Sequence, residues 1–585
     1  MENVDKIEYF QTDDSIKNKL LNMGLGIYNS IVLERRLTDI KDIEDDELKL
    51  FLYKEVNSFP IEEMGDINKL VDIFRTLDIH NSHVLIVSDY DCDGISSALM
   101  STFALKDVFK FDNVTTLVNK RRDGTGYNKR LVDKILEINK NKKVDLLISF
   151  DHGSCDEESY KVIKSHMDAK IVITDHHLPD LDNLPNSVDV FINPHNKGET
   201  NENLDISGCA VGFITLLYTY MYLHNKSFKE GINLFKSVLP FVCISTISDV
   251  MPLSNKYNRY FVKIGLNEIN SFRNTLWSDV RNHLELGAKI TIKDISHKIA
   301  PLINTGNRIS VEEHVFTTFN ELDLEQRKLL FSELINYNKI RKSEVQHLVA
   351  VTKDYIRLNK LDLDADSGLV LLLNSELSLN GIVAANIGDT YQTPVVCFNN
   401  SESENISGSI RGILDGINII DILHKIETED ADILNGYGGH TGAGGCNIKK
   451  SKLDTFTKLF KKYVTEFRSQ NLEGKTLLVD FSIRNTLVNH DLYNELTLLE
   501  PYGKDWEEPI IHSKFKVGGF RGGPNGCMVL LKTMDGRVLS GFYRPNEPLE
   551  VIEKKLAYGS IVDVYFKLGL NYRVPYQLSL DIVHI

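Results

Sequence analysis

The run Asp89-Tyr90-Asp91-Cys92-Asp93-Gly94 places three carboxylates at i, i+2 and i+4, directly after the apolar stretch His83 to Ser88. In extended chain those positions point the same way. Acids gathered in a small space repel one another, so a cation is the natural reason to keep them together. The plainer alternative is an acidic turn whose Asp caps a helix. Gly94 allows a sharp turn into the following segment. Two further apolar runs end alike: Val144 to Phe150 leads into Asp151-His152-Gly153-Ser154, and Lys170 to Thr174 into Asp175-His176-His177. Another acid, Asp249, stands in the apolar segment Thr246 to Pro252, where a carboxylate needs solvent or a partner. Four acidic positions and a His can hold two divalent ions about 4 Å apart, bridged by one carboxylate. Mixed carboxylate and imidazole donors favour Mn²⁺, where an oxygen-only set would favour Mg²⁺.

The elements around these residues alternate. Ile95 to Phe111 reads as a helix, Val114 to Val118 as a strand, then a Gly-rich basic loop precedes a helix from Lys129 to Asn139. Strand and helix in turn predict βαβ units and a parallel sheet covered on both faces. Ligands of such sheets bind at the carboxyl ends of the strands, and three of those ends carry Asp. Residues 210–290 are helical in pattern. Leu324 to Leu358 has apolar residues at helical spacing (Leu330, Leu334, Leu348, Tyr355) and predicts one or two long helices between lobes. A second α/β region runs from Leu369-Leu373 to about Arg468. Beyond Lys475, five short strand patterns (near 515, 528, 538, 561 and 576) predict a small barrel of oligonucleotide-binding (OB) type. The expected units are 1–260, 261–360, 361–472 and 473–585.

A chain of 585 residues exceeds one core, and 25% charged with 42% hydrophobic residues excludes wholesale disorder and rod-like folds. No apolar run reaches about 20 residues, and the acidic start MENVDKIEYF lacks a signal-like core, so neither membrane nor export is expected. The seven cysteines have no metal-clip spacing and read as reduced thiols of a cytoplasmic protein. The acidic stretch Asp39 to Glu47 reads as a solvated helix face. The net charge of −15 argues against coating nucleic acid non-specifically. It is unevenly spread: residues 101–150 hold 11 Lys+Arg against 6 Asp+Glu, and 475–585 hold 13 of each. A local positive groove is therefore compatible with the total.

DYDCDG, DHGS, DHH and TISDVMPL resemble, in order, the motifs of the DHH phosphoesterase superfamily, and within it most closely the RecJ-type single-stranded-DNA-specific 5′→3′ exonucleases. Asn193-Pro194, Ser207-Gly208 and the segment Ile299 to Ile309 are similar to further RecJ elements. Gly381 to Ala385, Gly408-Ser409-Ile410-Arg411 and Gly438 to Gly445 resemble a DHHA1 domain, and Glu500 to Pro509 the approach to an OB-fold. The resemblance covers about residues 25–585 and implies an α/β protein: a parallel-sheet DHH domain, a helical connector, an α/β DHHA1 domain and an OB-like barrel. It also implies a two-metal phosphodiesterase acting in DNA repair and recombination, with Mn²⁺ favoured and Mg²⁺ the alternative. Asp89, Asp91 and Asp151 would hold one ion; Asp93, Asp151, His176 and Asp249 the other. His177 would face the scissile phosphate, with Asp175 orienting a neighbour. Asn304, Arg308, Gly408, Ser409, Arg411, Gly438, Gly439 and His440 would meet the nucleic acid. Single-stranded DNA is the implied partner, with a helicase and a single-strand-binding protein beside it; the expected unit is a monomer. Three departures from the family pattern stand out: the loop Asn119 to Asn128 replaces an Arg…Gly-Tyr-Gly-Leu segment, the Gly of the Asn…Gly-Arg element is shifted by one (Gly306, with Asn307 before Arg308), and His152 occupies a position that is not usually basic.

Three other readings compete. A DHH phosphodiesterase for short RNA or cyclic dinucleotides would lack the C-terminal barrel. An inorganic pyrophosphatase would lack the GGH element. A degenerate replisome scaffold would have lost metal ligands, whereas this chain keeps them.

Overall fold

The computed structural model describes the chain apart from residues 1–3, 12, 38–43, 198–200, 375–378, 402, 415, 471–474, 524–525, 546–548, 572–573 and 575. Most of the acidic stretch from Asp39 lies outside the described residues, as do Tyr572 and Arg573 near the end of the chain.

Strand β1 (Val4–Tyr9) pairs in parallel with residues 475–479, far along the chain. Strands β2 (His83–Ser88), β3 (Asn113–Val118), β4 (Leu146–Phe150), β5 (Lys170–Thr174) and β6 (Val190–Ile192) form a five-stranded sheet, all parallel, in the order β3–β2–β4–β5–β6. Every residue of β2 and β4 is buried, as continuous apolar runs demand when helices cover both faces. The strand order reverses between β2 and β4, which puts the crevice of this sheet at the two strand ends that carry Asp89–Asp93 and Asp151.

Helix α1 (Cys92–Phe103) follows the acidic turn and continues as a π-helical turn to Val108, so the expected helix is one element with two hydrogen-bonding patterns. Helices α2 (Gly208–His224) and α3 (Leu239–Ser248) pack with it over the sheet, and both are apolar nearly all round because the core surrounds them. Residues 228–248 are long and apolar enough to cross a membrane by length and composition. They fold as the helix Phe228–Phe235, a 3₁₀ turn and α3, with most of the stretch buried. A few interspersed polar residues hide this stretch from a search for an unbroken apolar run.

The short helix α4 (Thr305–Ile309) lies against α5 (Leu324–Leu358), which is a single helix of 35 residues, about 50 Å long. Helix α5 leads to a second sheet of β7 (Leu369–Leu373), β8 (Val395–Asn399), β9 (Asn405–Arg411), β10 (Leu434–His440) and β11 (Ala443–Lys449), ordered β10–β11–β9–β8–β7, in which only β7 and β8 run parallel. This lobe has a core of its own around Phe398, Ile410, Leu423 and Phe456.

Strands β12 (Lys475–Val479) and β13 (Phe481–Ser482) precede the last domain. There β14 (Ile511–Gly523), β15 (Gly526–Lys532), β16 (Val538–Tyr543), β17 (Ile561–Leu570) and β18 (Leu578–His584) run β14–β15–β16–β18–β17, and β17 pairs back onto β14. The five expected strands thus close into an OB-like barrel, with β14 much longer than its apolar pattern because its outer residues are Lys, Gly and Arg.

The N-terminal residues, expected to belong with the first sheet, are also tied to the barrel's approach. Arg35 lies 2.8 Å from buried Asp480, and the Glu495 carboxylate accepts from the backbone N–H of Tyr28 (2.8 Å) and Asn29 (3.1 Å).

Candidate metal centre

The acidic turn is built from both ends. Asp91 Oδ1 accepts from the N–H of Asp93 (2.9 Å) and Gly94 (3.0 Å), so it caps α1. The Cys92 N–H donates to Asn304 Oδ1 at 3.0 Å, which fixes the turn to α4. Asp93 is buried and points at the start of α2. Its Oδ2 accepts from Gly208 N–H (2.8 Å), and its Oδ1 from Cys209 N–H (2.9 Å) and Ser245 Oγ (2.6 Å). A helix N-terminus is a ready anion site, so α2 holds this carboxylate in place. The helix-capping reading of Asp91 is therefore correct and also incomplete, because the same residue joins a carboxylate cluster.

Three groups of side chains bring one ligand atom each to within 4.8 Å of one another: Asp89, Asp91 and Asp151; Asp93, His176 and Asp249; and Asp151, His176 and His177. His176 Nε2 lies 3.3 Å from Asp151 Oδ1, 3.7 Å from Asp249 Oδ2 and 3.8 Å from Asp93 Oδ2. Asp151 sits between the first two groups, with a left-handed backbone (φ 64°) that turns it inward from the end of β4. Its Oδ1 is buried and accepts no hydrogen bond from the protein. A Cβ at residue 208 would lie 2.3 Å from that atom, so glycine there is what leaves Asp151 its space. Such a carboxylate oxygen calls for a cation, and the donor set of oxygens with one imidazole fits two divalent ions.

Electrostatics agree. Burial and Asp91 push Asp89 up to about 8. Burial and Asp93 push Asp151 well above the carboxylate range. Burial pushes Asp249 up to about 7 against the pull of His176. Burial lowers the His176 pKa, but Asp249 and Asp93 outweigh it and the ring is raised overall. These are the shifts of acids crowded without enough positive charge.

His177 stands beside this cluster, its side chain half-exposed. Its Nδ1 lies 2.8 Å from Asp175 Oδ1, while Asp175 Oδ2 accepts from Ser154 N–H and Oγ. Burial would lower His177, but Asp175 outweighs it and raises the ring to about 10. Asp175 itself resists the rise that burial favours, because the His177 charge and hydrogen bond hold it well below the usual range. Asn193 Nδ2 donates to Ser154 Oγ (2.9 Å) and to the His177 carbonyl (2.9 Å), bracing the pair.

Positive charge gathers on the other side. Burial lowers Arg308 to about 9, with Arg121 and Arg411 adding to the effect and Asp91 opposing it. Burial, then Arg121, lowers Arg411. The guanidinium of Arg121 lies over the Tyr90 ring at 5.9 Å. Three arginines from the first lobe, the connector and the second sheet thus face one region beside the acidic turn.

The β10–β11 hairpin adjoins Arg411, which is paired with Ala443, itself paired with His440. The His440 side chain lies outside the described residues. Gly408 and Gly439 are explained by the fold: a Cβ would reach 2.6 Å from the Phe398 ring at 408 and 2.4 Å from the Ala443 carbonyl at 439, where φ is also 137°. Gly438 is different. It is exposed, has no left-handed φ, and a Cβ there would meet nothing within 4 Å. Ser409 is half-buried on β9. Reading the sequence missed Ser207, Gly208 and Ser245 as supports of Asp93 and Asp151, and Arg121 as part of the basic face. The Ser207-Gly208 pair is legible only through the family resemblance; nothing in the sequence aims the helix that follows it at Asp93.

Residues 83–246 match the DHH family, N-terminal domain, and residues 374–466 match the DHHA1 domain. The single-stranded-DNA-specific exonuclease RecJ of Salmonella typhimurium is 24% identical over 471 residues, 78% of this chain and 79% of that protein. The corresponding Haemophilus influenzae protein is 24% identical over 544 residues, 90% of this chain and 91% of its own length. The crystal structure of RecJ with Mn²⁺ from Thermus thermophilus has the same fold over 99% of this chain and 78% of that one, with a TM-score of 0.75 at 19% identity.

Proposed function

We propose that this chain, a RecJ-type protein built on a DHH and a DHHA1 domain, is a metal-dependent 5′→3′ exonuclease that hydrolyses the phosphodiester bonds of single-stranded DNA in repair and recombination. The observation that carries this reading is one juxtaposition. Two ligand groups joined through Asp151 sit beside the Arg121, Arg308 and Arg411 cluster.

Asp89, Asp91 and Asp151 would hold one cation, and Asp93, His176 and Asp249, with Asp151 shared, the other. Mn²⁺ or Mg²⁺ there would lower the pKa of an attacking water and neutralise charge developing on the phosphate. The remaining work falls to the protein. His177, oriented by its Nδ1 contact with Asp175, presents its other ring nitrogen toward the phosphate oxygens as a hydrogen-bond donor. Arg308 and Arg411, with Arg121 beside them, grip the strand's phosphates, since guanidinium forks match that geometry. Gly438 lets the strand's backbone approach the hairpin closely. The barrel binds the strand further from the cut through bases stacked on aromatic side chains. The polarity rests on the family resemblance alone. A helicase and a single-strand-binding protein are the partners we expect, with a monomer as the working unit and the cytoplasm as its place. All seven cysteines are unpaired, as that compartment would keep them.

The test offers 5′- and 3′-labelled single strands, a duplex and dinucleotides with Mn²⁺ or Mg²⁺. Stepwise loss from the 5′ end of single strands is expected. Cleavage of dinucleotides alone would replace this reading with that of a small-substrate phosphodiesterase.

A further inference from the structure

Two of the three departures of this chain from the pattern it resembles meet in space. Tyr127 closes the basic loop 119–128, and His152 directly follows Asp151. Both are buried, and their rings stack with centroids 5.0 Å apart and planes 26° from parallel. Tyr160 meets the edge of Tyr127 at 4.8 Å and donates its hydroxyl to the Gly153 carbonyl (2.8 Å), while Ser159 Oγ donates to the Tyr127 carbonyl (2.6 Å). The loop therefore rests on the segment that begins at Asp151.

Its composition singles out that contact as the loop's apolar anchor. From Asn119 to Arg130 the chain reads Asn, Lys, Arg, Arg, Asp, Gly, Thr, Gly, Tyr, Asn, Lys, Arg, and Tyr127 is the one large apolar side chain in it. A polar, glycine-bearing loop has no core of its own and is placed by its few anchors. Outside, Arg121 N–H donates to Glu312 Oε1 (3.2 Å), Lys120 Nζ lies 2.7 Å from Glu313 Oε1, and at the loop's start Asn119 N–H donates to the Ser88 carbonyl (2.9 Å). Within the loop, Asn119 Nδ2 braces the carbonyls of Gly124 (3.4 Å) and Gly126 (3.2 Å). The inner anchor is Tyr127, and the flat surface it lies on is the His152 ring.

We propose that His152 is a positioning residue: its imidazole is the plate on which Tyr127 seats the basic loop, and through that stack it sets Arg121 over Tyr90 beside the acidic turn. Asp151 and the phosphate-gripping loop are thereby registered to each other by adjacent positions of one strand end. The role of Arg121 rests on the strand-binding reading above; the seating of the loop does not.

The test uses the full-length protein. Amide hydrogen exchange is followed across residues 119–128, and binding of a 5′-phosphorylated single strand is followed by fluorescence anisotropy in Ca²⁺. His152→Ala and Tyr127→Leu should each speed exchange in the loop about tenfold and weaken strand binding about tenfold, and His152→Phe, which keeps the plate, should restore both. Tyr127→Leu should leave Mn²⁺ affinity unchanged, which separates loop seating from damage at Asp151. Once Arg121→Ala is present, His152→Ala should weaken binding no further. Unchanged exchange in 119–128, a His152→Phe variant as loose as His152→Ala, or binding losses that add in full would each overturn the proposal. If the wild-type protein bound no single strand, the functional reading would fall while the exchange data still decided the seating of the loop.

Discussion

Asp151 and Asp93 carry the heaviest assignments in the centre, one lying between two ligand groups and the other held by α2. Asp151→Ala or Asp93→Ala should lower cleavage by at least about 10³-fold while single-strand binding survives, because the arginines are untouched. Paired turnover and gel-shift measurements check this, and full activity in either variant would refute the two-metal assignment. Gly208→Ala tests the space around Asp151. The added methyl falls 2.3 Å from Oδ1, so Mn²⁺ affinity measured by calorimetry should drop along with turnover. The carboxylates also set a pH dependence. Asp89 and Asp249 have their pKa values raised from 3.8 to about 8 and about 7, so the folded protein binds protons that the unfolded chain has released. Their contribution to stability is full below about pH 4 and is lost as pH rises through about 7 to 8. Metal-free protein should therefore weaken across that window. The rise in melting temperature with Mn²⁺ should be larger at pH 8 than at pH 5, since protons compete for the same oxygens. Thermal melts with Mn²⁺ or EDTA decide this; a shift that does not depend on pH would contradict the assignment.

At the scale of elements, the β10–β11 hairpin separates two glycines with different reasons to exist. Gly439 has a φ of 137° and no room for a Cβ, whereas Gly438 has room and an ordinary backbone. Gly439→Ala should destabilise by more than about 1 kcal/mol. Gly438→Ala should leave the melting temperature nearly unchanged and raise KM for single strands, since only an approaching strand would feel the methyl. Melting curves and KM values of the two variants, measured together, check the distinction. The same scale shows which parts of the site were legible. Asp89, Asp91, Asp93, Asp151, Asp175 and His176 could be read because each follows an apolar run, and a parallel sheet delivers all such ends to one edge. Ser245, Gly208 and Arg121 could not be read, because their roles depend on how α3, α2 and a loop pack across that edge.

The whole molecule is joined at Arg259. It is fully buried and donates to the carbonyls of Leu253 (3.1 Å), Leu499 (2.8 Å), Glu500 (3.3 Å) and Pro501 (3.3 Å), with its guanidinium over Phe51 (4.4 Å) and Trp506 (4.8 Å). One side chain thus fastens the first lobe, the N-terminal helices and the approach to the barrel. Arg259→Met would leave several buried carbonyls unpaired and should cost about 3 kcal/mol or more. The urea midpoint should fall, and trypsin should cut faster within residues 475–510. An unchanged proteolysis rate would show that the joint does not depend on this residue. The net charge of −15 also takes its meaning at this scale. Part of it is the carboxylate cluster itself, while the arginines that would meet a strand are gathered from three separate regions. That arrangement suits one strand held in a local groove better than a surface that coats nucleic acid.

The sequence by itself determined the elements and the chemistry of their ends. Apolar runs closing in Asp and His are a local pattern, and the rule that parallel strands present their carboxyl ends together turns that pattern into a site. Barrel, long connector and second sheet were likewise written in periodicity. Tertiary structure alone decided which residues face one another from distant parts of the chain. It set Asn304 on the acidic turn, α2 on Asp93, Arg308 and Arg411 beside Arg121, and residues 4–9 against residues 475–479. Those contacts are fixed by packing across hundreds of residues, and no local spacing encodes such distances.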